Sequence, residues 1–170
     1  GLDLIETIEF NKLIANIPYS ITEPLYKKIL KMKIPLCVLL HGNRFYKIIN
    51  DNTSKWFHYV NSFYDVTLIE KVDGENFEPK TKVKSALIKL KIKKQPTKTE
   101  KIIQKIFEKE QRNVKNTLIF TLVDEFKLPK KEAKELYLRL EIDEKISSRK
   151  FENLSNKEFI SIIEKIKNCF

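Results

Sequence analysis

Pro35 to Leu40, PLCVLL, constrains the fold more than any other stretch of the chain. A wholly apolar run this short reads as a strand covered on both faces, the kind found in parallel sheets. Upstream, residues 11–16 also read as a strand. Between the two, Thr22-Glu23-Pro24 opens a helix with a capping hydroxyl and a proline in its first turn. Leu25, Ile29 and Leu30 give that helix an apolar stripe. Strand, helix, strand in that order predicts a parallel βαβ unit, because parallel neighbours need a crossover connection. Residues 64–72 (YDVTLIEKV) and 83–93 (VKSALIKLKIK) add two more strands. In the second, Ala86, Ile88, Leu90 and Ile92 alternate with Lys89, Lys91 and Lys93, so one face is buried and the other cationic. No long helical pattern separates these two strands, which predicts that they pair antiparallel.

After Gln95-Pro96 the pattern becomes helical only. Thr97 and Glu100 have capping-box spacing ahead of Ile102, Ile103, Ile106 and Phe107. Val114, Leu118, Ile119, Leu122, Val123 and Phe126 form a second stripe. Pro129 starts a third helix, with Ala133, Leu136, Tyr137 and Leu140 on one side. Ser155 with Glu158 forms another capping box, and Leu154 with Phe159 has hydrophobic-staple spacing. The predicted organisation is an α/β part over residues 1–95 and a small all-helical domain over 96–170, with no internal repeat.

Charge points to a partner. Residues 80–115 hold thirteen Lys and Arg against three Glu, which accounts for the whole net charge of +10 and leaves the rest of the chain neutral. A general lysine bias would spread the charge evenly. Its concentration favours a polyanion, nucleic acid, over a merely solvated face. Other classes are disfavoured. No apolar run approaches the ~20 residues of a membrane span. The Gly1-Leu2-Asp3-Leu4 start has no basic region before an apolar one, so no signal peptide is expected. Cys37 and Cys169 lie far apart, and His41 and His58 are the only histidines, so neither a disulfide framework nor a metal site is expected. Both histidines read as ordinary packing or surface residues. A reducing cytoplasm fits best.

At the end of the first strand stands Asn16-Ile17-Pro18-Tyr19. Turn chemistry accounts for the proline and the asparagine but not for the tyrosine. In an open α/β sheet, ligands sit beyond the carboxyl ends of the strands. The Asn16 side chain supplies one acceptor oxygen there, and the backbone carbonyl of a residue before Pro18 can supply another. Two acceptors in a rigid turn suit an exocyclic amine, and Tyr19 suits the ring that carries it.

The surrounding segments resemble a known family. IANIPYSITEPL (14–25) is similar to the catalytic stretch of the dimethyladenosine transferases, the KsgA family of ribosomal RNA adenine N6,N6-dimethyltransferases. VDGENFEPKTKVKSALIKL (72–90) resembles a second motif of the family, with Phe77, Pro79, Val83, Ser85 and Ala86 in register. IFEKEQRNVKNTL (106–118) looks like the segment that opens the family's helical domain. ISSRKFENLSNKEFISIIEKI (146–166) is similar to the archaeal type of that domain. The resemblance implies an α/β fold, the C-terminal half of a Rossmann-like class I methyltransferase sheet followed by a small helical RNA-binding domain. It implies that Asn16 and the Pro18 carbonyl bind the N6 amine of a flipped adenine and that Tyr19 stacks on the base. Phe77 matches the aromatic closing the other face, and a core role before the turn at Pro79 stays open for it. Asn16 would also border the methyl donor, S-adenosylmethionine. Two successive direct methyl transfers would follow, without a metal. Lys89, Lys91, Lys93, Lys98, Lys101, Lys105, Lys109, Arg112 and Lys115 would grip small-subunit ribosomal RNA during ribosome biogenesis.

The departures from the family also matter. Its glycine-rich cofactor loop has no counterpart, since the only glycines are Gly1, Gly42 and Gly74. In LLHGNRFYKII (39–49), His41 and Arg44 replace a glutamine and a glutamate of the family's motif, while Phe45 is kept. The chain is therefore expected to correspond to the part of the enzyme after the cofactor-binding half, and to bind S-adenosylmethionine weakly by itself. Two alternatives stand beside this reading. One is a non-catalytic RNA-binding or ribosome-assembly module derived from the family. The other is a DNA adenine methyltransferase, against which stand Ile17 and the two longer matches.

Overall fold

The computed structural model describes residues 10–169. The expectation drawn from the first four residues lies outside them. The described residues divide into two compact units: those up to Asp51 together with Phe63–Lys94, and Asn52–Ser62 together with the residues from Gln95 onward.

The first unit is a four-stranded sheet with helices. Strand β1 (Lys12–Asn16) leads through a 3-10 turn at Tyr19–Ile21 into helix α1 (Thr22–Met32), and β2 (Leu36–Gly42) follows. β1 and β2 pair in parallel, as the βαβ pattern predicts. Helix α2 (Asn43–Asn50) comes next, then β3 (Tyr64–Val72) and β4 (Ser85–Ile92). β4 lies between β2 and β3 and runs antiparallel to both, giving the order β1-β2-β4-β3. Leu25, Tyr26, Ile29 and Leu30 of α1 are buried, along with Cys37 and Leu39 of β2 and Ala86, Ile88 and Leu90 of β4. Fully burying each of the Leu and Ile side chains contributes roughly 1.5–3 kcal/mol. Tyr64 anchors the end of α1 and the residues after it, its one hydroxyl proton shared between the carbonyls of Ile29 (3.2 Å) and Ile34 (2.9 Å). Lys89 and Lys91 are exposed on the cationic face of β4.

Two local expectations are corrected. β2 buries one face only: Cys37, Leu39 and His41 are covered, whereas Leu36, Val38 and Leu40 are half-exposed among the described residues. Thr22 does not cap α1. It is the first helical residue, and its hydroxyl donates back to the Pro18 carbonyl at 3.4 Å, so the preceding 3-10 turn supplies the helix entry.

The second unit is helical. α3 (Lys55–Phe63) leads the chain out of it, and α4 (Lys98–Glu108) to α8 (Asn156–Cys169) complete it, through α5 (Val114–Phe126), α6 (Lys130–Arg139) and the short α7 (Glu144–Ser147). Residues 52–62 join this unit through specific contacts. Tyr59 packs edge-on against Phe107 and Phe159, with ring centroids 5.1 and 5.2 Å away. Lys55 Nζ donates to the Leu154 carbonyl at 2.6 Å, and Gln104 Nε2 donates to that of Ser62 at 2.6 Å. Both capping boxes form. Thr97 Oγ1 accepts from the Glu100 N–H while Glu100 accepts from the Thr97 N–H, and Ser155 and Glu158 repeat the exchange. Leu154 and Phe159 are both buried, as the staple spacing predicts.

Candidate active site

The turn after β1 is built by a change of direction at a buried anchor. Ile17 is buried, and its N–H continues the ladder to the Leu40 carbonyl at 2.8 Å. Pro18 then fixes φ at −58° and sends the chain into the 3-10 turn. Asn16 and Tyr19, on either side of this bend, are exposed at the carboxyl end of the sheet.

Tyr19 is held by β2 and β4 together. Gly42 at the end of β2 is the register partner of Ser85 at the start of β4. The Tyr19 ring lies against Gly42 so closely that a Cβ there would come within 2.9 Å of two ring carbons. Across from it, Ser85 Oγ is 3.4 Å from the Tyr19 hydroxyl. Tyr19 is 52 % exposed and lines an open cleft.

Phe77 arrives from the β3–β4 connection. Gly74 opens a tight turn there, where a Cβ would meet the Thr81 carbonyl oxygen at 1.8 Å, so only glycine is accommodated. The Gly74 carbonyl accepts from the N–H groups of Phe77 (3.3 Å) and Thr81 (3.0 Å). The half-buried Phe77 thereby meets Asn16, Pro18 and Tyr19 around one open cleft of about 370 Å³, which His41 and Ser85 also line. A second cleft of about 470 Å³ shares Tyr19 and extends over Gly42, Arg44 and Val83. The four catalytic candidates read from the sequence therefore lie around a single cleft.

One detail changes. The Pro18 carbonyl accepts from the Ile21 N–H at 3.1 Å and from the Thr22 hydroxyl at 3.4 Å, which uses both of its lone pairs. The Ile17 carbonyl has no partner among the described residues, and neither has the Asn16 amide. Among the described residues the uncommitted backbone acceptor next to Asn16 is thus the carbonyl before Pro18, as the turn chemistry suggests, whereas the Pro18 carbonyl that the resemblance implies is already accepting.

Sequence reasoning left three residues out of the site. Gly42 figured only as an isolated glycine, Ser85 only as part of a matching motif, and His41 as packing. His41 is buried, with Nδ1 3.1 Å from the Gly42 carbonyl and Nε2 2.9 Å from the Tyr26 hydroxyl. A carbonyl only accepts, so Nδ1 carries the proton and Nε2 accepts from Tyr26. Burial lowers the His41 pKa and the bond to Gly42 opposes the shift; the neutral ring is the favoured form. The signal for Gly42 and Ser85 lay in cross-strand register, which no local pattern displays.

Asn16, the residue expected to border S-adenosylmethionine, is exposed and lines the cleft. Gly42 and Gly74 are already committed to Tyr19 and Thr81. Among the described residues, no three His, Cys, Asp or Glu side chains cluster as a metal site would require, and no helix is long and apolar enough to cross a membrane.

The basic candidates fall into different settings. Lys98, Lys101, Arg112 and Lys115 are exposed on the helical unit. Lys93 is half-buried and already engaged. Lys105 is withdrawn from the candidates: its ammonium lies 3.2 Å from Asp124, 3.4 Å from Glu125 and 3.6 Å from Glu108. Desolvation would lower its pKa, but the bond to Asp124 and the three carboxylate charges outweigh it and raise the value. Its charge is already matched by these carboxylates.

Comparison with known proteins places the chain in a family. The family model described as ribosomal RNA adenine dimethylase covers residues 6–162. The probable ribosomal RNA small subunit methyltransferase A of Methanococcus vannielii is 29% identical over 180 residues, spanning 95% of this chain and 67% of that protein. That of Methanococcus maripaludis strain C7 is 33% identical over 127 residues, 68% of this chain and 48% of that protein. The chain thus spans between about half and two thirds of the length of these curated relatives. A dimethyladenosine transferase from Plasmodium falciparum shares the fold, with a TM-score of 0.53 at 20% identity over 95% of this chain and 69% of that one. At that identity the likeness is one of fold, a mixed α/β sheet with helices. With the family model covering nearly the whole chain and the motif residues gathered around one cleft, the chain belongs to the ribosomal RNA adenine dimethylase family.

Proposed function

We propose that this chain carries the adenine-binding half of an S-adenosylmethionine-dependent ribosomal RNA adenine N6,N6-dimethyltransferase, acting on small-subunit ribosomal RNA in the cytoplasm during ribosome biogenesis. The observation that carries the reading is the single cleft shared by Asn16, Tyr19 and Phe77, with two uncommitted acceptors at its rim. Asn16 Oδ1 and the Ile17 carbonyl accept the two N–H groups of the adenine amine and fix the direction of its nitrogen lone pair. Tyr19 stacks on one face of the base and Phe77 borders the other. Bound S-adenosylmethionine would supply an electrophilic methyl group beside Asn16. Extracting a base from its stack costs a few kcal/mol. Stacking returns ~1–3 kcal/mol per base on an aromatic ring, so the two rings are of the right size to offset it.

The test uses the complete protein that contains this chain. Asn16→Ala removes one acceptor and is expected to lower the single-turnover rate of methyl transfer to small-subunit RNA by about a hundredfold, with RNA affinity nearly unchanged. Removing a preorganised hydrogen-bonding group typically costs 10²–10³ in rate. An Asn16→Ala protein with the wild-type rate would show that the amine is held elsewhere.

A further inference from the structure

The helical unit carries an open groove of about 890 Å³ along α5 and the start of α6, separate from the Tyr19 cleft. Arg112, Lys115, Lys130 and Lys134 stand around it, and no carboxylate lines it. None of these four cations forms an ion pair among the described residues, in contrast to Lys105. Lys130 and Lys134 lie outside the basic run of residues 80–115, and it is the fold that adds them to Arg112 and Lys115.

The groove also holds an aromatic ring. α5 buries Val114, Leu118, Ile119 and Leu122, whereas Phe120 is 40 % exposed in the groove. Lys109 Nζ stands 4.1 Å from its ring centroid, and the Arg112 guanidinium carbon 5.9 Å away. A cation thus sits over one face of the ring, while Phe120 keeps 40 % of its surface exposed. Asn116 adds an amide at the rim that no hydrogen bond of its side chain commits.

We propose that this groove binds an unpaired RNA nucleotide, its base stacked on Phe120 and its flanking phosphates held by Lys115, Lys130 and Lys134. The inference rests on the ribosomal RNA reading above and adds a second contact point, on the helical unit, that discriminates single-stranded from paired RNA. An acidic peptide would satisfy the cations but leave the exposed ring without a role. A duplex would also satisfy them, yet its stacked bases cannot reach the ring. Alternating phosphates and free bases use both features, which is how single strands are held without regard to sequence.

The experiment titrates the chain with two labelled RNAs of equal phosphate count, a hairpin with an unpaired loop and a blunt duplex. Phe120→Leu is expected to weaken the hairpin about tenfold, within the range of one lost stacking contact, and to leave the duplex unchanged. The double variant Lys130→Gln with Lys134→Gln is expected to flatten the log–log salt dependence for the hairpin by about 1.4, roughly 0.7 per phosphate contact on a single strand. Hairpin binding that is indifferent to both variants overturns the nucleotide site and leaves the RNA-binding reading standing. Equal weakening of both RNAs by Phe120→Leu, or displacement of the hairpin by a polyglutamate peptide with Phe120→Leu silent, overturns the site as well. Failure of the unaltered chain to bind either RNA at low salt overturns both.

Discussion

His41 stands where the cleft meets the core, and its protonation state is set by its neighbours. Nδ1–H is fixed by the Gly42 carbonyl, so a second proton would have to go to Nε2, where the Tyr26 hydroxyl already donates. Burial disfavours the charged ring and lowers its pKa against the pull of the Gly42 bond. His58, in the helical unit, is lowered chiefly by burial; the Asn52 carbonyl opposes the shift, the Lys167 charge adds to it, and the Glu164 charge opposes it. A histidine with a depressed folded pKa binds protons more readily in the unfolded chain. Stability should therefore be flat above about pH 7 and decline as pH falls through the unfolded value of about 6.5. Urea midpoints measured from about pH 8 to 5 check this, with His41→Gln and His58→Gln each removing part of the decline. A flat profile would mean that both rings protonate in place. The carboxylates act lower down: Glu158, held at about 2 by the Ser155 N–H and hydroxyl and by Arg149, loses its contribution only as pH falls below the ordinary carboxylate range.

Single elements were legible wherever the signal was local. The capping box of α4 was readable from spacing alone, and it makes a test of element stability. Thr97→Ala removes the acceptor for the Glu100 N–H and should lower stability by about 1 kcal/mol, seen as a lower urea midpoint at unchanged slope. An unchanged midpoint would show that Glu100 alone holds the helix start. The four strands were equally readable from alternation and apolar runs. α2 and α3 were not. Lys55–Phe63 carries aromatic residues on several sides, Trp56, Phe57, Tyr59 and Phe63, so no clean helical period stands out. Its membership in the helical unit depends on ring contacts with residues 48 to 100 positions away, Tyr59 with Phe107 and with Phe159 among them. The candidate cleft divides in the same way. Asn16 and Tyr19 announce themselves by chemistry at a strand end, whereas Gly42 and Ser85 matter only because β2 and β4 are neighbours in register.

For the molecule as a whole, the charge excess is the property that a single titration can probe. The excess is not all available, since Lys105 is neutralised by three carboxylates and Lys93 is half-buried and engaged. Lys89 and Lys91 on β4, with Lys98, Lys101, Arg112 and Lys115 on the helical unit, remain exposed. If five of these meet phosphates, counterion release gives a log–log salt slope of about −3.5 for unpaired RNA, at roughly 0.7 per contact. Small-subunit RNA should then bind this chain tightly at low salt and dissociate steeply as salt rises. Lys89→Gln with Lys91→Gln tests the sheet face apart from the helices. If that face meets RNA, the slope flattens by about 1.4. Folding should be little affected, because exposed substitutions usually change stability by under ~0.5 kcal/mol. A slope unchanged in this variant but flattened by Lys98→Gln with Lys101→Gln would confine the RNA to the helical unit. Failure to bind at low salt would instead mark the lysines as a solvated face.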